Sequence, residues 1–115
     1  MVIALVDDLM FLSRIREAAK GRAVEVKAVR TAADAVAGAR AGARLVLMDL
    51  DSPRLPWAAT AADLRADASL AGLSVVGFFS HVEAQRGRDA LQAGCSTVLP
   101  RSAFVQKLDE LLADL

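Results

Sequence analysis

An α/β domain, with helices covering both faces of a parallel sheet, is the fold class this chain predicts. Three observations carry that expectation. Five short apolar runs alternate with five stretches of helical character. The first, third and fourth runs are nearly continuous hydrophobic segments, as strands buried on both faces are. The segments between them are short, as compact βα units require. The 115 residues suffice for a single domain, 1–115, around one core.

Taken in order, the first strand is Val2 to Val6, ended by Asp7 and Asp8. A first helix runs from about Met10 to Lys20, with Phe11, Leu12, Ile15, Ala18 and Ala19 as its apolar stripe and Gly21 as its stop. The second strand, Val24 to Val29, sets Val24, Val26 and Ala28 against Glu25, Lys27 and Val29, a half-polar alternation that suits a sheet edge. Thr31 is placed to cap a second, alanine-rich helix that reaches Gly42. The third strand, Leu45 to Met48, ends at Asp49. A third helix follows Pro56 and carries Ala62, Leu64 and Ala66. The fourth strand is Val75 to Phe79. After it, Ser80-His81-Val82-Glu83 has the form of a capping box, opening a helix that stops near Gly94. The fifth strand is Thr97 to Leu99, and a last helix begins after Ser102 with Phe104, Leu108, Leu111, Leu112 and Leu115 on one side. Strict alternation with right-handed crossovers makes the sheet doubly wound, and the flavodoxin-like strand order 2-1-3-4-5 sets the first and third strands side by side.

Composition narrows the function. Hydrophobic residues are 55% of the chain, which favours a packed globule over disorder. The 14 basic and 14 acidic residues cancel, so no net field draws the chain to nucleic acid or an anionic membrane. One cysteine, Cys95, excludes an internal disulfide and a cysteine-built metal site. The first apolar run has no basic stretch before it and is cut short by Asp7, so it is a strand and not a signal peptide. No run approaches the ~20 apolar residues of a membrane span. A soluble, cytoplasmic protein without membrane or nucleic-acid contacts is the expectation.

The informative feature is where the carboxylates fall. Asp7, Asp8 and Asp49 end two strands that should be neighbours, on the sheet edge where open α/β folds build their sites. At about 4 Å and an effective dielectric near 20, each such pair repels by roughly 4 kcal/mol. A raised pKa, a cationic side chain or a divalent metal must offset that.

On these residues the chain resembles the receiver domains of two-component response regulators. The resemblance spans nearly its whole length. It is carried by Leu5-Val6-Asp7-Asp8, by Met48-Asp49-Leu50-Asp51-Ser52-Pro53, by Leu64-Arg65-Ala66-Asp67 before the fourth strand, by Ala93-Gly94-Cys95 before the fifth, and by Leu99-Pro100-Arg101 after it. Each motif is weak alone; order and spacing make them specific. The resemblance implies a signalling module, not an enzyme, that takes a phosphoryl group from a histidine kinase or phosphotransfer protein on Asp49. It implies a magnesium ion held by Asp7, Asp8, Asp49 and the backbone carbonyl of Asp51, and output to a downstream protein through the helix 4–strand 5–helix 5 face.

The chain departs from the family's pattern at several places. Arg101 stands where a lysine is usual, followed by Ser102 instead of proline. Phe79 takes the place of a hydroxyl residue, with Ser80 one position later. Val98 takes the place of an aromatic switch residue, and Pro56-Trp57 replaces Asp-Gly. Arginine supplies a cation, but its planar fork is not an ammonium. Phe79 donates no hydrogen bond, and Ser80 could replace it only through a shift that would turn it to the other face. The acidic half of the site is kept, while the half that reads phosphorylation is altered.

Simpler readings stand beside these. Asp7 or Asp8 can cap the first helix. Arg101 can pair with Asp49 as an internal counter-ion without a metal. Ser80 suits capping better than phosphate contact. His81 fits a solvated helix start, Cys95 a small apolar turn residue, and Phe79 and Trp57 packing positions or a cover over the site. Asp49-x-Asp51 also matches the nucleophile and acid pair of haloacid-dehalogenase-like phosphatases, but those need a larger domain and further acidic residues. Two functions remain: an atypical phospho-accepting receiver, and a pseudo-receiver that binds protein independently of phosphorylation.

Overall fold

In a computed structural model, residues 1–80, 84–113 and 115 are described. The elements are β1 (Val2–Leu5), α1 (Leu9–Lys20), β2 (Val26–Ala28), α2 (Ala32–Arg40), β3 (Leu45–Asp49), α3 (Trp57–Ala66), a 3-10 turn (Ala68–Leu70), β4 (Ser74–Phe79), α4 (Ala84–Ala93), β5 (Thr97–Pro100) and α5 (Arg101–Ala113). All strand pairs are parallel, and the sheet order is β2-β1-β3-β4-β5, the order expected from the alternation. β2 lies at an edge, as its polar alternation implies.

The period of two in each strand divides the core into two layers. Ile3, Leu5, Val46, Met48, Val75 and Phe79 face Ala35 and Ala39 of α2, Ala61 and Leu64 of α3, and Ala90 of α4. Val2, Ala4, Leu45, Leu47, Val76 and Phe78 face Ile15 and Ala19 of α1 and Phe104, Leu108 and Leu112 of α5. The central strands β1 and β3 are buried throughout, which accounts for their unbroken hydrophobicity. α2 lies close on β1 at Gly38, where an added Cβ would stand 2.4 Å from Ile3 Cδ1.

Several boundaries differ from the sequence expectation. α5 begins at Arg101, not after Ser102, because the chain turns straight from Pro100 at the end of edge strand β5 into the helix. That two-residue difference makes Arg101 part of a helix. In α3 the buried side is Thr60, Ala61 and Leu64, whereas Ala62 and Ala66 are exposed. Alanines on every side conceal the inward face, and Thr60 is buried because its hydroxyl donates to the Pro56 carbonyl at 2.7 Å. Strand β2 is shorter than the apolar run. Ala23, with φ 57°, turns the chain, and the Val24 amide still bonds back to Ala19. At its other end Val29 is buried and Ala28 exposed, so the alternation breaks there. α2 stops at Arg40, before Gly42. The expected capping box at Ser80-His81-Val82-Glu83, with the solvated role given to His81, falls on a stretch whose residues 81–83 lie outside the described ones.

Candidate functional site

The site is built by the register of β1 and β3. Leu5 pairs with Met48, so the residues that follow, Asp7 and Asp8 on one side and Asp49 and Asp51 on the other, emerge together. Asp7, Asp8, Asp49, Asp51, Ser52, Pro53, Arg54 and Arg101 line one open cleft of about 280 Å³ at the carboxyl edge of the sheet. A larger cavity of about 560 Å³, with Ala43, Ser74, Thr97 and Leu115 in its wall, lies at the opposite edge. Among the described residues Glu110 and Arg44 are the charged ones lining it, and the converging carboxylates described are at the carboxyl edge.

Each carboxylate has partners within the chain. Asp8 is the N-cap of α1, its Oδ1 accepting from the amides of Met10 at 3.0 Å and Phe11 at 3.1 Å. Asp7 Oδ2 accepts from Ser52 Oγ at 3.1 Å and from Arg54 Nε at 3.0 Å. Asp49, only 2% exposed, accepts the Asp51 amide on Oδ1 at 2.9 Å and Arg101 Nη2 on Oδ2 at 3.0 Å. Asp51 accepts the Ser80 amide and, at 2.8 Å, Arg86 Nη1 from α4.

Arg101 sits among these acids. Besides Asp49, it reaches Asp8 Oδ2 at 3.5 Å through Nη1 and Asp51 Oδ2 at 3.6 Å through Nε. The last distance is too long for a hydrogen bond, and this buried Nε has no hydrogen-bond partner among the described residues. Below the guanidinium lies an aromatic stack. Phe11, Phe78 and Phe104 have centroids 4.4–5.6 Å apart, and Arg101 Cζ stands 4.7 Å from the Phe11 centroid and 5.6 Å from that of Phe78. A flat, weakly hydrated guanidinium can lie on such rings while donating sideways to carboxylates, a planar geometry that a compact, strongly hydrated ammonium does not share.

The electrostatics follow from this packing. Burial pushes the Asp49 carboxyl above its ordinary value, outweighing the Asp51 amide and the Arg101 charge, which pull it down. The hydrogen bond from the Phe11 amide is the main reason Asp8 is held low, with Arg101 adding to it. Burial also pulls Asp51 upward, but the hydrogen bonds from Ser80 and the charges of Arg101 and Arg86 prevail and leave it below the usual carboxylate range. Asp49 is therefore the carboxylate least relieved of its burial, although an arginine touches it.

Oxygen ligands of this kind suit a hard cation such as magnesium. Their arrangement does not fit one as it stands. Arg101 bridges Asp8, Asp49 and Asp51, and among the described residues no group of three His, Cys, Asp or Glu side chains is disposed to hold a metal ion.

The remaining expected residues do not line the cleft, although Ser80 borders it. Phe79 is buried in the α2–α3–α4 layer, and Trp57 is partly buried against the same layer, so both pack instead of covering the acids. Val98 is half-buried beneath α4, where a Cβ at Gly87 would be 3.9 Å from its Cγ1. Ser80 is exposed and engages Asp51 rather than Asp49. Cys95 is buried and its thiol is pushed up to about 11 by desolvation, so it is a packing residue. Sequence reasoning missed Arg54, Arg86, Ser52 as a donor, and Phe11 as a platform. Phe11 carries the apolar signal of any core residue, and nothing in the spacing of Arg86 points to Asp51.

No family model matches the chain, and no curated protein matches it either. Solved structures do. A response regulator from Hahella chejuensis superposes with a TM-score of 0.82 at 18% identity, covering 97% of this chain and 91% of its own. The chain has the fold of a receiver domain. The receiver domain of a sensor histidine kinase from Pseudomonas aeruginosa, which has a magnesium ion coordinated in its active-site cleft, matches this receiver fold with a TM-score of 0.79 at 18% identity, covering 98% and 93%. The receiver domain of the Saccharomyces cerevisiae response regulator Ssk1, crystallised with the histidine phosphotransfer protein Ypd1, matches with a TM-score of 0.76 at 20% identity, covering 95% and 86%. Among the described residues no helix is long and apolar enough to cross a membrane.

Proposed function

We propose that this chain is an atypical receiver module of two-component signalling that acts by protein–protein contact, with Asp49 as its phosphoryl-accepting position and Arg101 as the resting counter-ion of its acidic cleft. One observation carries this reading. Asp49 ends β3 in the same cleft as Asp7 and Asp8 on a receiver fold, and the cation facing it is Arg101 at 3.0 Å. The likeness to a receiver that holds magnesium, and to one crystallised with a histidine phosphotransfer protein, supports a phosphorelay partner of that class. Only with Arg101 drawn away from these acids would magnesium be held by Asp7, Asp8, Asp49 and the Asp51 carbonyl, where it would supply charge compensation for the phosphoryl oxygens. The chain's own residues do the rest. Asp49 supplies the carboxylate oxygen, Arg101 pairs with it, and the Asp51 amide orients it. The output surface in this reading is α4, β5 and α5.

The test is incubation with magnesium and acetyl phosphate, followed by intact-mass analysis. The native chain should gain little phosphoryl adduct. Phe79→Thr with Arg101→Lys should gain more, and Asp49→Asn should abolish it. Stoichiometric phosphorylation of the native chain would remove the atypical part of the proposal. No adduct in any form, with no binding of a beryllofluoride mimic, would remove Asp49 as acceptor.

That second outcome would leave a pseudo-receiver, a reading favoured by the near-complete burial of Asp49 and by both its oxygens being engaged. A pseudo-receiver binds its partner with an affinity indifferent to magnesium, phosphodonor and Asp49→Asn.

A further inference from the structure

We propose that Arg101 and a divalent cation are alternative occupants of the acidic cleft, so that a metal ion enters only as the guanidinium leaves. This rests on the reading of the cleft as a receiver site. The guanidinium stands 3.0 Å from Asp49 Oδ2, 3.5 Å from Asp8 Oδ2 and 3.6 Å from Asp51 Oδ2. Apart from Arg101, Asp49 Oδ2 and Asp8 Oδ2 have no hydrogen-bond donor among the described residues, Asp8 Oδ1 being spent on the α1 cap and Asp49 Oδ1 on the Asp51 amide, while Asp51 Oδ2 also accepts the Ser80 amide. Asp7 is already engaged by Arg54 and Ser52. A metal ion seated on the same oxygens would face a cation at contact distance in a partly buried site, so the two cannot share them.

The exchange has a structural consequence. Arg101 is the first residue of α5, and its side chain ties that helix to the ends of β1 and β3. Asp51, the third acid it faces, also accepts the Ser80 amide after β4 and Arg86 of α4. Releasing Arg101 therefore loosens the start of α5 and redistributes charge around Asp51, which holds α4. Cation occupancy reaches both helices through side-chain ion pairs, without the hydroxyl that Phe79 lacks or the ring that Val98 lacks.

The experiment is a magnesium titration by calorimetry and thermal shift, with no phosphodonor present. Failure of phosphoryl transfer and failure of this exchange are thus read separately. The forms are the native chain, Arg101→Met and Arg101→Met with Asp49→Asn; methionine keeps an apolar stem on Phe11 without a charge. Arg101→Met should bind magnesium tighter than the native chain by roughly tenfold or more, about the worth of one charge-assisted hydrogen bond. The added Asp49→Asn should reverse that gain. Equal affinity in the native chain and Arg101→Met would overturn the proposal, as would a folded Arg101→Met, by circular dichroism, that binds no magnesium. Should Arg101→Met not fold, hydrogen exchange of the native chain decides. Bound magnesium should speed exchange in the first turn of α5, and unchanged protection with metal bound would overturn the exchange.

Discussion

Replacing Arg101 with methionine tests whether the cleft depends on its internal cation. Truncating one partner of a buried ion pair typically costs about 3–5 kcal/mol, because the other charge is left uncompensated. The Arg101 side chain is 26% exposed and the cleft is open, so solvent recovers part of that. The lost contact with Phe11 and Phe78 adds about 0.5–1 kcal/mol, much of which a methionine sulfur on the same rings returns. A net destabilisation of about 2 kcal/mol at pH 7 is expected, corresponding to a fall in Tm of roughly 8 °C for a domain of this size. Urea unfolding followed by far-UV circular dichroism measures it, with an unchanged m-value showing that the unfolded state is not the cause. The pH dependence is a second constraint. Arg101 lowers Asp49, Asp8 and Asp51 in the native chain, so its contribution is present while they are ionised. The penalty of Arg101→Met should therefore shrink as acid protonates those groups. Equal stability of variant and native chain at neutral pH, or a penalty that grows on acidification, would refute the reasoning.

Asp49→Asn should be at least as stable as the native chain at pH 7. The Asp49 pKa is raised by burial above its ordinary 3.8, so its contribution favours folding below that value and is lost as pH rises through the folded-state pKa. A neutral amide that can still accept from Arg101 and the Asp51 amide removes the penalty, and the difference from the native chain should close at acid pH in the same urea assay. Asp8 separates capping from charge. Asp8→Ala should cost about 1 kcal/mol of stability through loss of the α1 cap, while Asp8→Asn, which still caps, should cost only a few tenths. Similar losses for the two would show that the Arg101 contact and not the cap governs that position.

The parallel sheet was legible because both faces of its central strands are covered, which leaves no polar position in Val2–Leu5 or Leu45–Met48. Convergence of Asp7, Asp8 and Asp49 followed from strand order alone, since adjacent parallel strands open on one edge. The inward face of α3 was not legible, because alanines occupy several of its sides and carry no directional signal. The displacement of Phe79 from the cleft was equally hidden, since a strand-end residue's face depends on the register of its neighbours.

The pattern of residues along the chain determined the layered architecture and the gathering of acidic groups at one edge, because both depend on local periodicity and on where apolar runs stop. Only the tertiary structure decided which cation answers them. Arg101 reaches Asp8, Asp49 and Asp51 because α5 starts two residues early and because Phe11, Phe78 and Phe104, from three different elements, form the platform on which its guanidinium lies. Contacts among residues so far apart in the chain arise when helices pack on the sheet, and no spacing in the sequence records them.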